Sequence, residues 1–243
     1  MNYCILNGAR STDIKGLLIQ SLPPITKPMQ RVLTETIDGK DGDKLTLLGY
    51  AAYDKTMQIA LRGDYDVDEV IQYFCDNASG EVIFSNEPDK YYRYQIVKQI
   101  DFERLLRFKQ AKVTFHVQPF KYSAIDRRLD FNQTAGNLDL SFFNAGNTYA
   151  RPSIQLAGSG TLRITVPNML TTYIYIDMTQ TSDGWIVLDT ETMNALSNRG
   201  GNTYLNRAVT GDISKLQYKP GTQHLIINGS VTHVDMIDYS RWI

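Results

Sequence analysis

The sequence has few cysteines and no long apolar run. Its two cysteines, Cys4 and Cys75, cannot form a disulfide framework, so we expect reduced thiols in a protein made in a cytoplasm. The first residues lack the pattern of a secretory signal, and no segment is apolar over the length of a bilayer. The formal net charge of −1 gives no sign of a basic nucleic-acid surface. We therefore expect no membrane partner and no sequence-specific nucleic-acid partner.

The sequence also lacks the common catalytic motifs. It has no G-x-S-x-G turn, no phosphate-binding P-loop and no H-E-x-x-H pair. Its three histidines, His116, His224 and His233, do not have metal-ligand spacing. We therefore expect no enzymatic activity, no metal and no cofactor, although glycoside hydrolysis needs only two carboxylates and leaves no sequence pattern.

Alternating apolar residues predict a mainly β protein with two domains. Ala111, Val113, Phe115 and Val117 alternate with polar residues, which is typical of a half-buried strand, and we expect Pro119 to end that strand. Beyond residue 126, short β-type runs alternate with turns rich in Gly, Asn and Pro, which indicates an antiparallel sandwich or jelly roll. The predicted domains are residues 1–125 and 130–243.

One α-helix is predicted at about residues 66–78. Asp66 and Glu69 have the spacing of a capping box at its start. An apolar face follows, formed by Val67, Val70, Ile71, Phe74 and Cys75. We expect Cys75 to be a small core residue on this face. Since such a face must be buried, the N-terminal domain is predicted to be a β-sandwich with one helix.

Two N-terminal segments are candidate contacts between subunits. Pro23, Pro24 and Pro28 hold their segment out of a sheet, so it is either a plain connector or an arm that contacts a neighbouring subunit. The strand with Tyr91, Tyr92 and Tyr94 carries aromatic rings on both faces. It is either an ordinary sandwich strand or one that presents a face to another chain.

Two turn regions also stand out. The first contains Asp38, Gly39, Asp41 and Gly42, where the glycines suit positive φ angles in a tight turn, and the acidic spacing does not continue into a calcium-binding loop. The second is the longest candidate loop of the C-terminal domain, with Asn198, Arg199, Gly200, Gly201 and Asn202. It is either a docking loop for a partner protein or a mobile surface loop.

The order of several motifs resembles the distal tail proteins (Dit) of long-tailed phages that infect Gram-positive bacteria. The N-terminal motifs are TETIDGKDGD at residues 34–43, LLGYAAYDKTMQIAL at 47–61 and VTFHVQPFKY at 113–122. The C-terminal ones are FFNAGNTYARPSIQLAGSGTLRI at 142–164, GWIVLDTETMNAL at 184–196, LQYKPGTQHLIING at 216–229 and YSRW at 239–242. The resemblance covers nearly the whole chain.

This resemblance implies a structural virion protein of the phage tail tip, assembled in the host cytoplasm. Its N-terminal domain would form a homo-oligomeric, probably hexameric ring with a channel for DNA, and its C-terminal domain would be a galectin-like sandwich outside the ring. The implied partners are the tail tube protein, the tail-associated lysin or fibre, and a receptor-binding or baseplate protein. The turn at residues 38–42 would be a family signature.

A carbohydrate-binding module acting in host adsorption is the alternative. Exposed aromatic residues of a jelly roll stack on sugar rings, and Trp185, Tyr204 and Trp242 are the candidates. However, Trp185 begins an apolar run, so we expect it to pack in the core.

Overall fold

A computed structural model describes residues 1–125, 127–167, 169, 171–199, 201 and 203–243. The chain divides into two compact units. Unit 1 contains residues 1–124 and 243, and unit 2 contains residues 125–242. Both units are mainly β, as the sequence predicts.

Unit 1 contains nine strands and two short helices among its described residues. In chain order they are β1 (Cys4–Leu6), β2 (Ala9–Arg10), β3 (Leu17–Ser21), β4 (Gln30–Thr36), β5 (Asp43–Tyr50), β6 (Tyr53–Leu61), α1 (Val67–Asp76), β7 (Ser79–Phe84), β8 (Lys90–Gln95), α2 (Phe102–Phe108) and β9 (Gln110–Ser123). Seven strands form an antiparallel sheet in the order β2-β1-β7-β8-β9-β6-β3. The remaining two, β4 and β5, pair with each other as a separate ribbon.

The helix α1 begins where the capping pattern predicts. The Asp66 carboxylate accepts hydrogen bonds from the backbone N–H groups of Asp68 and Glu69. Tyr73, with Val70 and Phe74, is buried, whereas Cys75 is exposed. The prediction of a core Cys75 is therefore wrong, because the buried face centres on Val70, between Tyr73 and Phe74, and Cys75 lies about 140° around the helix from Val70. The second helix, α2, lies where the sequence pattern is ambiguous.

The prediction that Pro119 ends its strand is also wrong. Strand β9 continues through Pro119 to Ser123. The register between β8 and β9 shifts here, from Tyr94 opposite Val117 to Tyr92 opposite Lys121. Proline has no N–H to donate, and an irregularity of this kind accommodates it without ending the strand.

Unit 2 is built on three long strands. Its strands are β10 (Arg128–Asn144), β11 (Ser153–Thr165), β12 (Tyr173–Asp177), β13 (Trp185–Asp189), β14 (Asn194–Leu196), β15 (Val209–Thr210), β16 (Gly221–Ile237) and β17 (Arg241–Trp242). The main order is β10-β16-β11-β12-β15, and β13 pairs with another part of β11 and with β14. This curled sheet encloses one apolar core.

These long strands replace several short runs expected from the sequence. Residues 153–157 and 161–165 form one strand, because Gly158 and Gly160 lie at register shifts instead of in a turn. Gly229 similarly lies inside β16, with a φ of 128°. Residues 213–218 form another of the β-type runs, for which the sequence predicts a strand. Residues 213–215 form a 3₁₀ turn instead, in which Asp212 accepts hydrogen bonds from the Ser214 N–H and O–H groups.

Candidate assembly surface

The ribbon of β4 and β5 is exposed along nearly its whole length. Its tip is the predicted turn, where Gly39 and Gly42 have φ angles of 80° and 77°, as the sequence predicts. In a folded single chain, apolar strand residues normally face a core. Here Val32, Leu45 and Leu47 are 47%, 65% and 56% exposed.

Strand pairing divides the ribbon into two unlike faces. Val32 lies opposite Leu47 and Thr34 opposite Leu45, so these four residues share one face, which we call the apolar ribbon face. The opposite face has Leu33 across from Thr46, and Glu35 across from Lys44, whose ammonium is 2.9 Å from the Glu35 carboxylate. A two-stranded ribbon is marginally stable by itself in water. The apolar ribbon face therefore favours a covering partner.

The proline segment before the ribbon is hydrogen-bonded to other residues of unit 1. The side chains of Pro23 and Pro28 are buried, whereas Pro24 is exposed. The Lys55 ammonium donates a hydrogen bond of 2.7 Å to the Pro24 carbonyl, and the Asn86 amide donates one of 3.0 Å to the Pro23 carbonyl. Pro23 and Pro28 therefore pack within the chain, whereas Pro24 stays exposed, as do Ile25 and Met29. The arm hypothesis for this segment stays a prediction.

The predicted tyrosine surface is absent from the described part of unit 1. Tyr91, Tyr92 and Tyr94 are 1%, 0% and 3% exposed. Their strand, β8, lies between β7 and β9, and its two faces are both covered. Tyr91 stacks on Tyr122 at 5.4 Å between ring centroids, while Tyr94 donates a hydrogen bond to the Asn77 carbonyl. The prediction of these three residues as an interface is therefore wrong.

Tyr92 belongs to a buried ionic cluster, which we define as Lys55, Glu87, Tyr92 and Lys121. Glu87 accepts hydrogen bonds from the Tyr92 hydroxyl at 2.5 Å and from the Lys121 ammonium at 2.7 Å. The Lys55 ammonium lies 4.8 Å from the centre of the Tyr92 ring. Burial, and secondarily the hydrogen bond to Glu87, raises the pKa of Tyr92. The Tyr92 hydroxyl therefore stays protonated, and a donor to Glu87, at pH values where an ordinary tyrosine ionises.

Lys55 is the titratable residue of this cluster near neutral pH. Burial lowers the pKa of Lys55 to about 8, although Glu87 acts in the opposite direction. Between that pKa and its ordinary value of 10.5, the unfolded chain binds more protons at this position than the folded one. We therefore expect the unfolding free energy of the wild type, minus that of Lys55→Met, to rise as the pH increases from 8 to 10.5. Urea denaturation of both proteins at intervals across this range measures it, and a difference that falls with pH would contradict the assignment.

The predicted docking loop is held to unit 2 by Arg199. Its guanidinium donates to the Asp235 carboxylate, to the Asp235 carbonyl at 2.8 Å and to the Ser153 carbonyl at 3.2 Å. The Asp235 side chain is only 3% exposed. The Gly201 N–H also donates to the Asn198 carbonyl. Arg199 is therefore a structural link between strands β11 and β16, not a free contact residue, and its buried partner carries no local sequence signal.

Part of that loop lies outside the described residues, namely Gly200 and Asn202. The docking prediction for the loop as a whole stays a prediction. Among the described loop residues, Asn198 and Gly201 remain as candidate contacts to a partner, because Arg199 is bonded within unit 2.

The residues of the carbohydrate alternative show varied environments. Trp185 is half-buried, with its ring centre 5.0 Å from that of His233, and it is not the core residue expected. His233 Nδ1 is 2.6 Å from the Asn132 oxygen. Tyr204 is largely exposed, and Trp242 is half-buried. Contacts within unit 2 account for Trp185 and His233, so sugar binding stays the weaker hypothesis.

Two features of the described residues concern metal binding and membrane insertion. They contain no group of His, Cys, Asp or Glu side chains placed to hold a metal ion. Within the same residues, no helix has the length and apolar character needed to cross a membrane.

Comparisons with known proteins identify the relatives of this fold. Residues 11–117 match the family model of the phage tail protein RIFT-related domain. Among solved structures, the chain superposes on the Dit protein (gp 19.1) of phage SPP1 with a TM-score of 0.61, at 16% identity over 100% of both chains. That protein is described as a paradigm of the hub adsorption apparatus in phages infecting Gram-positive bacteria. A chain of the phage P2 baseplate in its activated conformation gives 0.55 at 9% identity over 100% of this chain and 98% of that one. No curated protein has significant sequence similarity to the chain. The resemblance to the distal tail proteins is thus confirmed in the fold: residues 11–117 match the phage tail domain model, and the whole chain shares the fold of the SPP1 Dit protein.

Proposed function

We propose that this protein is a structural component of a phage tail tip, where copies of unit 1 form a hexameric ring that joins the tail tube to the tail-associated lysin or fibre. The observation that supports this most directly is the apolar ribbon face. Val32, Leu45 and Leu47 leave apolar side chains in water in the single chain, and burying them in a neighbouring copy would stabilise an assembly.

A ring is the assembly that such a surface favours. The ribbon is one feature of each copy and lies apart from the main sheet in the strand pairing. When it docks on a different surface of the next copy, the contact is heterologous, and such contacts form a ring when the rotation between successive copies closes. The number six comes from the resemblance to distal tail proteins, whose fold the chain shares.

The two faces of the ribbon suit two environments in this ring. The apolar ribbon face would lie against the next copy. The opposite face carries the Glu35–Lys44 pair and Arg31. The ribbon as a whole, residues 30–50, has three Lys or Arg against four Asp or Glu residues, so it offers no excess of positive charge to hold DNA phosphates in a wet channel. We expect no salt-sensitive DNA binding by the assembled protein in a gel-shift experiment.

Unit 2 is the proposed docking module for a receptor-binding or baseplate protein. It has its own apolar core, formed by residues from all its long strands, and turns at its surface. If this domain lies outside the ring, as the resemblance implies, partner proteins would reach it.

Native mass measured by light scattering tests the ring directly. We expect a mass of about 166 kDa, six times the 27.6 kDa of the chain, at micromolar concentration. Residues 1–125 alone should keep oligomerising, whereas residues 130–243 should remain monomeric. A full-length protein that stays monomeric at high concentration would contradict the proposal.

A further inference from the structure

Lys55 occupies an apolar position in the sequence pattern of β6. The inward-facing residues of this strand are Lys55, Met57, Ile59 and Leu61, and all four are buried. A buried ammonium costs free energy unless hydrogen bonds and charges compensate it. A methionine would fill the same space without this cost, so the lysine requires an explanation beyond packing.

The hydrogen bond of Lys55 joins the two ends of the ribbon. The chain enters the ribbon through residues 22–29 and leaves it through Ala51 and Ala52 into β6. Lys55 lies just after the exit, and its ammonium binds the Pro24 carbonyl on the entry segment. At the base of the ribbon, the Ala51 N–H also donates to the Met29 carbonyl at 2.9 Å.

The surroundings of Lys55 hold its ammonium in place. The Tyr92 ring lies 4.8 Å and the Tyr53 ring 5.6 Å from the nitrogen. Glu87 supplies the nearby negative charge, while Lys121, bonded to Glu87, occupies the other side of that carboxylate. Since Lys55, Tyr92 and Lys121 lie in strands β6, β8 and β9 of the main sheet, a carbonyl bound to this cluster is fixed relative to the sheet.

We propose that Lys55 is a positioning residue for assembly: by holding the Pro24 carbonyl, it fixes where the ribbon leaves unit 1, so that the apolar ribbon face meets the next copy in one orientation. This inference rests on the proposed ring. A ribbon that is already ordered before binding loses less conformational entropy on association, which raises the affinity between copies without adding any contact.

The test compares Lys55→Met with wild type in the full-length protein. Lys55→Met removes the ammonium but keeps an unbranched apolar chain. We expect faster amide hydrogen exchange in residues 25–50, unchanged exchange in β8 and β9, and at least a tenfold higher concentration for half-assembly. The unfolding free energy of the monomer should be equal or higher, because a buried charge is removed. If Lys55 merely stabilised the fold, Lys55→Met would instead lower the unfolding free energy.

Two further variants complete the experiment. Asn86→Ala removes a second side-chain hydrogen bond to the segment, the one to the Pro23 carbonyl, at an exposed position that tolerates substitution, and should give the same changes to a smaller extent. Lys112→Met is the matched control, since it makes the same substitution at an exposed position of β9 and should change nothing. Wild-type exchange of residues 25–50 in both Lys55→Met and Asn86→Ala, or wild-type assembly in both, would overturn the positioning role. A monomeric wild type would instead refute the ring, while the exchange comparison would still decide whether Lys55 orders the ribbon.

Discussion

The double variant Leu45→Lys, Leu47→Lys is expected to be monomeric and folded. Both leucines are exposed in the single chain, so lysines there cost little in folding. In the ring, the same side chains would be buried against the next copy, where an unpaired ammonium costs several kcal/mol. A loss of this size raises the concentration needed for assembly by at least about 100-fold. Light scattering measures the assembly, and circular dichroism the fold.

Thr46→Lys is the matched control for this experiment. Thr46 lies between the two leucines in β5 and points to the opposite face of the ribbon. If the apolar ribbon face is the contact, Thr46→Lys should assemble like wild type. Assembly by the double variant would show that other surfaces hold the copies together.

The sequence predicted the ribbon itself but not its exposure. Residues 31–37 alternate as in a strand, residues 45–50 are a further strand-like run, and the turn predicted at residues 38–42 lies between them. Alternation tells which side chains share a face, but it does not tell whether a core lies against that face. Val32 and Leu47 have the same pattern as buried Met57 and Ile59, and only the tertiary structure separates them.

The tyrosine strand β8 shows the reverse case, in which side chains expected at the surface are buried. Tyr91, Tyr92 and Tyr94 suggested an outer surface because tyrosine tolerates water at one end. Their position in the middle of the sheet depends on pairing with β9, which is distant in sequence. The buried hydroxyl of Tyr92 is satisfied by Glu87, a partner that only the fold brings close.

Glycine and proline also gave false indications of strand ends. Pro119, Gly158 and Gly229 punctuate the sequence as if they ended strands, yet each lies within a long strand. The three positions coincide with bulges or close backbone approaches. At Gly158, for example, an added Cβ would lie 2.5 Å from the Ser230 carbonyl oxygen. Such a position requires glycine because of a neighbouring strand, and local sequence carries no sign of that strand.

The loop with Arg199 leads to the second large expected effect. Arg199→Met should lower the unfolding free energy of unit 2 by about 3 kcal/mol, because it removes a charged partner from a nearly fully buried carboxylate. The loss is not larger because Arg128 still binds Asp235, at 3.0 Å from its Nε. Chemical denaturation followed by tryptophan fluorescence measures this change.

Arg207→Met is the control for general loss of an arginine, since Arg207 is exposed in the same region, and we expect a change within about 0.5 kcal/mol. The same reasoning applies to replacing residues 198–202 by a Gly-Ser linker. A plain surface loop tolerates such a change, but this one would lose the Arg199 bonds to Ser153 and Asp235, which join β11 to β16. The replacement should therefore destabilise unit 2 as much as Arg199→Met does. Equal stability of wild type and Arg199→Met would mean that Arg128 alone satisfies Asp235, and the loop would again be available for a partner.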